Sequence, residues 1–266
     1  MEERDIVRIV VLTKPVPDPA AGQERLTADL RVDRAASPAV VNGNDEYALE
    51  AALKLVEEHG GEVTLLAMAP ENGRETLRKG LAMGGARGVL VADPALAGSD
   101  WLATSRVLAA ALRELEFDLV LAGADTSDGG GGVVPAGVAA LARLPYLSYA
   151  AKIEASDGGV RVHRITPTGY EVLEAPTPAL VACTQALGAP RYPSLKGIMA
   201  ARSKEVVIRS LADLEIDPAT VGEDGTGTKV VDARAPAPRG ATRVIREPAG
   251  EAARQVVEFL AERRVI

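Results

Sequence analysis

The chain is poor in the side chains that usually carry chemistry. Among 266 residues there is one cysteine, Cys183, and there are two histidines, His59 and His163. A single cysteine makes no internal disulfide, and with two distant histidines it supplies no zinc or iron–sulfur ligand set. Aromatics make up 3% of the residues: Trp101, Tyr47, Tyr146, Tyr149, Tyr170, Tyr192, Phe117 and Phe259. No apolar run reaches the roughly 18 residues of a membrane span. A formal net charge of −7 argues against nucleic acid as the main partner. Met1 to Asp5 is charged and leads into a strand rather than a secretory signal, so the expectation is a cytoplasmic protein. Neither a GxxxxGK[ST] loop nor a GxGxxG after the first strand is present, so the two standard nucleotide fingerprints do not apply.

What the chain does have is apolar residues, 47% of the total, in two alternating periods. Ile6 to Thr13, Glu62 to Ala69, Arg87 to Ala92 and Asp118 to Ala122 are short continuous runs rich in Val, Ile and Leu, as in strands buried on both faces. Helical spacing fills the intervals. Asn44 to His59 is predicted as a helix capped by Asn44 and ended by Gly60-Gly61; Asn72 to Met83 is a second. A third, capped by Ser99 with Asp100 near its dipole, runs to Leu115. Val133 to Leu144 is a fourth, preceded by four glycines, Gly129 to Gly132. The fold class is α/β, a doubly wound, mostly parallel sheet that binds ligands outside the carboxyl ends of its strands.

Beyond Leu144 the pattern changes. Lys152 to Ala155 and Val160 to Thr166 flank Ser156-Asp157-Gly158-Gly159, a hairpin turn, and Pro178 to Thr184 is one more buried strand. The α/β domain is expected to cover residues 1–187. Residues 188–266 read as an exposed segment and an extended tail. Within them, 188–204 is punctuated by proline and carries Arg191, Lys196, Arg202 and Lys204 with no acid; 217–242 is rich in Gly, Pro and Ala. Pro248 to Arg264 resumes helical spacing, with Ala252, Val256, Val257, Leu260 and Ala261 on one face, so it packs on a partner or back on the domain.

Gly123-Ala124-Asp125-Thr126-Ser127-Asp128-Gly129-Gly130-Gly131-Gly132 joins strand to helix. It reads either as a phosphate-binding loop, with backbone amides and a helix N-terminus facing an anion, or as a surface loop. Asp128 is awkward beside a phosphate unless it binds backbone amides or a ribose hydroxyl. Lys14, in Lys14-Pro15-Val16-Pro17-Asp18, is either solvated on a rigid turn or turned toward a ligand at the strand end. Asn42-Gly43-Asn44-Asp45-Glu46 opens the first helix and lies by the same sheet edge. His59 suits a helix C-terminus, and Cys183 an inert buried thiol. A stand-alone nucleotide-binding regulatory protein and a nucleotide-cleaving enzyme both remain open at this point.

Six segments in order resemble the β subunit of electron transfer flavoproteins: Val10 to Asp18, Asn42 to Leu53, Leu77 to Gly88, Leu119 to Gly137, Pro178 to Thr184 and Pro190 to Val206. The resemblance implies a Rossmann-like sheet of the adenine nucleotide α hydrolase-like kind. It also implies a heterodimer with an α subunit that holds most of the FAD, and an AMP in this chain. A bifurcating relative would hold a second FAD in the AMP site. By motif, the AMP site would comprise Leu12, Asn42, Gly43, Asn44, Asp45, Met68, Gly123, Ala124, Asp125, Thr126, Ser127, Asp128, Gly129, Gly130, Gly131, Gly132, Val133 and Val134. The amides of Gly129 to Val134 would hold the phosphate. The implied role is an electron carrier, not an enzyme, taking electrons from flavin dehydrogenases such as those of fatty-acid oxidation and passing them to a quinone reductase. Leu195 would be the anchor of a docking segment, and the tail would wrap the α subunit. Where family members carry Gln or Asn in the phosphate loop, this chain has glycine and valine. Pro167-Thr168-Gly169-Tyr170 replaces acids in the hairpin, and Ala200 and Ala201 stand where lysines are common.

Overall fold

The computed structural model describes residues 7–22, 25–156, 158–234 and 242–266. Met1 to Ile6, Asp157 of the expected turn and residues 235–241 of the expected tail lie outside them. Two compact units are present, Met1–Val230 and Val231–Ile266.

The first unit is built on a nine-stranded sheet. Its strands are β1 (Val7–Leu12), β4 (Gly61–Met68), β5 (Arg87–Val91), β6 (Leu119–Gly123), β7 (Tyr146–Ser156), β8 (Gly159–Thr166), β9 (Gly169–Pro176), β10 (Ala179–Cys183) and β11 (Val206–Arg209). They lie in the order β11-β5-β4-β1-β6-β10-β7-β8-β9, and all pairings from β11 to β7 are parallel. A two-stranded ribbon, β2 (Pro15–Pro17) and β3 (Ala39–Val41), sits between β1 and the first helix. Because successive strand side chains point to opposite faces, each strand feeds two cores. Ile9, Val11, Leu65, Leu90, Leu121 and Val181 pack under helices α1 (Gly43–His59) and α2 (Gly73–Met83). Val10, Leu66, Val89, Val120 and Leu180 pack under α3 (Trp101–Arg113) and α4 (Val134–Ala142). The doubly wound sheet expected from the apolar runs is therefore present.

Strand order reverses between β1 and β6: the chain winds outward from β1 through β4 to β5, then returns to place β6 on β1's other side. A crevice opens outside the carboxyl ends of two strands at such a point. The end of β1, the start of α1 and the loop after β6 all converge there.

The local expectations need four corrections. Asn42, not Asn44, occupies the position before α1, and its side chain makes no cap bond because it is committed elsewhere. Asp100, not Ser99, caps α3, accepting from the Leu102 and Ala103 amides at 3.0 and 2.9 Å; a carboxylate reaches two amides at once, and Ser99 Oγ instead accepts from Gly222 N. The hairpin is a three-stranded antiparallel meander, β9 running the length of β8. Finally, residues 188–209 do not trail from the domain. Leu195–Ala201 forms a short helix, α5, which packs on α2, and β11 extends the sheet beside β5. Buried Ala201, Val206, Leu211, Leu214 and Val221 supply the apolar contacts that the Pro- and Gly-rich composition hid.

In the second unit, α6 (Ala249–Glu262) has the expected amphipathic spacing and no buried residue. Among the described residues no helix is long and apolar enough to cross a membrane.

Candidate functional site

Asp45 lies at the centre of the crevice, 4% exposed. Its Oδ2 accepts from Lys14 N at the end of β1 (2.8 Å), and its Oδ1 accepts from Gly123 N at the end of β6 (3.2 Å) and from Asn42 Nδ2 (3.0 Å). One carboxylate thus ties both strands of the switch point to α1. Burial pushes its pKa up to about 7, against the pull of these donors. The approach is so close that a Cβ on Gly123 would lie 2.4 Å from Asp45 Oδ1, so only glycine fits there.

Asn42 and Asn44 hold the loop itself. Asn42 Nδ2 donates to Asp125 O (2.8 Å), Asn42 Oδ1 accepts from Ser127 N (3.2 Å), and Asn44 Nδ2 donates to Asp125 O (3.1 Å). Asp125 Oδ1 accepts from Thr126 N and Gly132 N, folding the loop on itself. Gly130 and Gly132 sit at φ +57° and +59°, the left-handed region that glycine adopts freely.

Asp128 finds a solution that the sequence did not suggest. Its side chain is fully buried under two cations, Lys14, whose Nζ lies 2.9 Å away, and Arg34 from the segment between β1 and β3. Burial alone would raise the Asp128 pKa; Lys14 and Arg34 overcome it and hold the carboxyl down at about 2. Its charge is thus met before any phosphate approaches. Lys14 is neither merely solvated nor free to face a ligand alone.

With these bonds made, the amides of Gly129, Gly131, Val133 and Val134 donate to no acceptor among the described residues, and α4 begins at Val134. Among the described residues, Thr13 Oγ1, one residue past β1, is buried without a hydrogen-bond partner. A buried hydroxyl left unpaired is costly. Free amides, a helix N-terminus and glycines with open space fit a phosphate.

The structure therefore brings together Asn42, Gly43, Asn44, Asp45, Gly123 and the residues from Ala124 to Val134. Leu12 joins them through its register with Ala122, though its side chain is buried in the core beneath α3. Met68 ends β4, one strand farther out, and packs half-buried on that same core. Leu195 lies elsewhere, on α5. Sequence reasoning missed Thr13 and Arg34. A polar residue directly after an apolar strand was the available signal for Thr13; Arg34 lies 94 residues from its partner and had none. Cys183 is buried, which pushes its thiol pKa up and leaves it inert.

Residues 29–214 match the family described as the electron transfer flavoprotein domain. An electron transfer flavoprotein subunit beta from Clostridium acetobutylicum is 35% identical over 98% of this chain and 100% of its own. One of the same description from Mycobacterium leprae is 37% identical with the same coverage. The chain belongs to the electron transfer flavoprotein β-subunit family. Both of these relatives are named as electron transfer flavoprotein subunits, a name that implies an electron carrier. Two further full-length relatives are named for reductases: caffeyl-CoA reductase-Etf complex subunit CarD of Acetobacterium woodii, 34% identical, and acryloyl-CoA reductase electron transfer subunit gamma of Anaerotignum propionicum, 33% identical. Both align over 98% of this chain and 100% of their own. The family match takes in Asn42 to Asp45, the glycine loop and α5, and begins after the β1 end of the crevice.

Proposed function

We propose that this chain binds AMP at the β1–β6 switch point and pairs with an α subunit that holds most of the FAD. The heterodimer takes electrons from flavin dehydrogenases and delivers them to a quinone reductase. The observation that carries the nucleotide reading is the loop after β6: the amides of Gly129, Gly131, Val133 and Val134 have no acceptor among the described residues, and the buried Thr13 hydroxyl just past β1 has no partner among them either. The amides bind the phosphate, and Asp45 and Asn42 hold the loop in the shape that exposes them. Lys14 and Arg34 neutralise the one carboxylate that would repel an anion. The flavin supplies the redox chemistry when bound, as the scarcity of redox-competent side chains requires. Leu195, 78% exposed at the first turn of α5, is the apolar knob offered to the dehydrogenase. Amphipathic α6 covers the α subunit.

The likeness to subunits of two CoA-ester reductase complexes favours a second reading, in which the crevice holds a second FAD. One experiment separates them. The chain is co-expressed with its α subunit, and nucleotides are extracted from the purified heterodimer. One FAD and one AMP per heterodimer supports the main reading. Two FAD and no AMP supports the second, and no adenine nucleotide beyond one FAD refutes both assignments of the crevice.

A further inference from the structure

The docking segment carries four basic residues and no acid between 188 and 204, which in the sequence reads as a charged surface awaiting a partner. The structure divides them. Arg191 is turned inward onto α1: its backbone N and Nε donate to Glu50 Oε2 at 3.1 and 2.7 Å, and its Nη2 donates to Glu50 Oε1 at 3.2 Å and Glu57 Oε2 at 3.0 Å. Glu50 is buried, so this is a partly desolvated, charge-assisted clamp rather than a surface pair. Burial would raise the Glu50 pKa, but the Arg191 contacts overcome it and hold it low.

Lys204 holds the other end. Its Nζ donates to Leu81 O at 2.9 Å and Gly85 O at 2.6 Å, carbonyls at and just past the end of α2. Arg78 on α2 reaches across to Ala201 O (2.7 Å) and Arg202 O (3.1 Å), carbonyls at the end of α5. Between the pins, Gly197 lies so close to α2 that a Cβ would be 2.3 Å from Ala82 O. Of the four basic residues in the segment, only Lys196 and Arg202 keep exposed side chains without an ion pair among the described residues. On the outer side stand Tyr192, Leu195, Ile198 and Met199, all exposed.

We infer that Arg191 and Lys204 are positioning residues: they pin the docking segment to α1 and α2, so its apolar tip is presented in one conformation before any partner arrives. The inference rests on the proposed docking role of Leu195. Ordering a flexible segment at an interface costs affinity, and a segment already ordered escapes that cost. The pins therefore act on encounter and affinity, not on electron movement once docked.

The test uses the full heterodimer with an acyl-CoA dehydrogenase as electron donor, comparing the parent with Arg191→Ala, Lys204→Ala, Arg191→Lys and Leu195→Ala. Trypsin cleavage after Lys196 or Arg202 reads the order of the segment with no partner present. In Arg191→Ala and Lys204→Ala, cleavage at these sites is expected to quicken at least fivefold. KM for the dehydrogenase should rise about tenfold while kcat stays within twofold, and Arg191→Lys should recover part of both effects. A purely structural role would quicken cleavage and leave KM alone, which overturns the inference; unchanged cleavage overturns it as well. Failure of the docking role is distinguishable, because then Leu195→Ala also leaves KM unchanged.

Discussion

At the scale of the residue, Asp45 concentrates the logic of the site. It is a carboxylate with no cation in its first bonds, held by two backbone amides and one side-chain amide. Its pKa of about 7 in the folded chain exceeds the ordinary 3.8 of the unfolded one. Between these values the folded state keeps a proton that the unfolded state has lost, so the Asp45 contribution weakens as pH rises from about 4 to about 7. Asp128 has the opposite sign: held at about 2, its contribution is complete above pH 4 and lost only toward pH 2. The stability advantage of the parent over Asp45→Asn should therefore shrink between pH 4.5 and pH 8. For Asp128→Asn it should stay level over that range. Urea midpoints at pH 4.5, 6 and 8 measure both, and an Asp45→Asn gap that does not change with pH would show the carboxylate ionised throughout.

At the scale of the element, helix ends were less legible than helix bodies. The apolar spacing of α1, α2 and α3 marked their extents within a residue or two, because a 3.6-residue period is a property of the chain alone. Caps were misread by one or two positions. Ser99 and Asp100 are both good caps, and the choice went to Asp100 because Ser99 was drawn to Gly222 N, 123 residues away. Asp100 also accepts from Gly227 N at 3.0 Å through its other oxygen. Asp100→Ala is thus expected to lower stability by about 1–2 kcal/mol, the range of a lost N-cap. Ser99→Ala, which removes one acceptor from a loop amide, should cost less. Thermal unfolding of the two variants decides it; an equal or larger loss for Ser99→Ala would mean that the helix end does not depend on the carboxylate.

At the scale of the whole molecule, the chain divides after Val230 and not where composition changes near residue 188. Edge strand β11 pairs with β5 and buries Val206 in the core under α1 and α2, while Leu211, Leu214 and Val221 pack in the core beneath α3, so the first unit needs them. A chain ended after Val230 should unfold cooperatively within about 2–4 °C of the full chain, the change that about 1 kcal/mol makes in a domain of this size. Its capture of the α subunit should weaken at least tenfold, because the exposed apolar face of α6 is gone. A chain ended after Leu187 should fail to fold stably. Equal melting of the two shortened chains would move the boundary back toward residue 188.

By itself the sequence determined the doubly wound sheet, the loop at its switch point and the family, because buried parallel strands, glycine clusters and short motifs are written in contiguous residues. It also pointed toward chemistry supplied by a cofactor, since scarcity of cysteine, histidine and aromatics is a matter of counting. Only the tertiary structure decided which polar groups are spent on holding the candidate site together and which are left without a partner among the described residues. Lys14 and Arg34 are taken by Asp128, Arg191 by Glu50, and Lys204 by the end of α2. Among the described residues the Thr13 hydroxyl and the amides of Gly129, Gly131, Val133 and Val134 remain unpaired. Pairing of charges and hydrogen bonds depends on approach in space between residues tens to more than a hundred positions apart, and no local period or spacing encodes it.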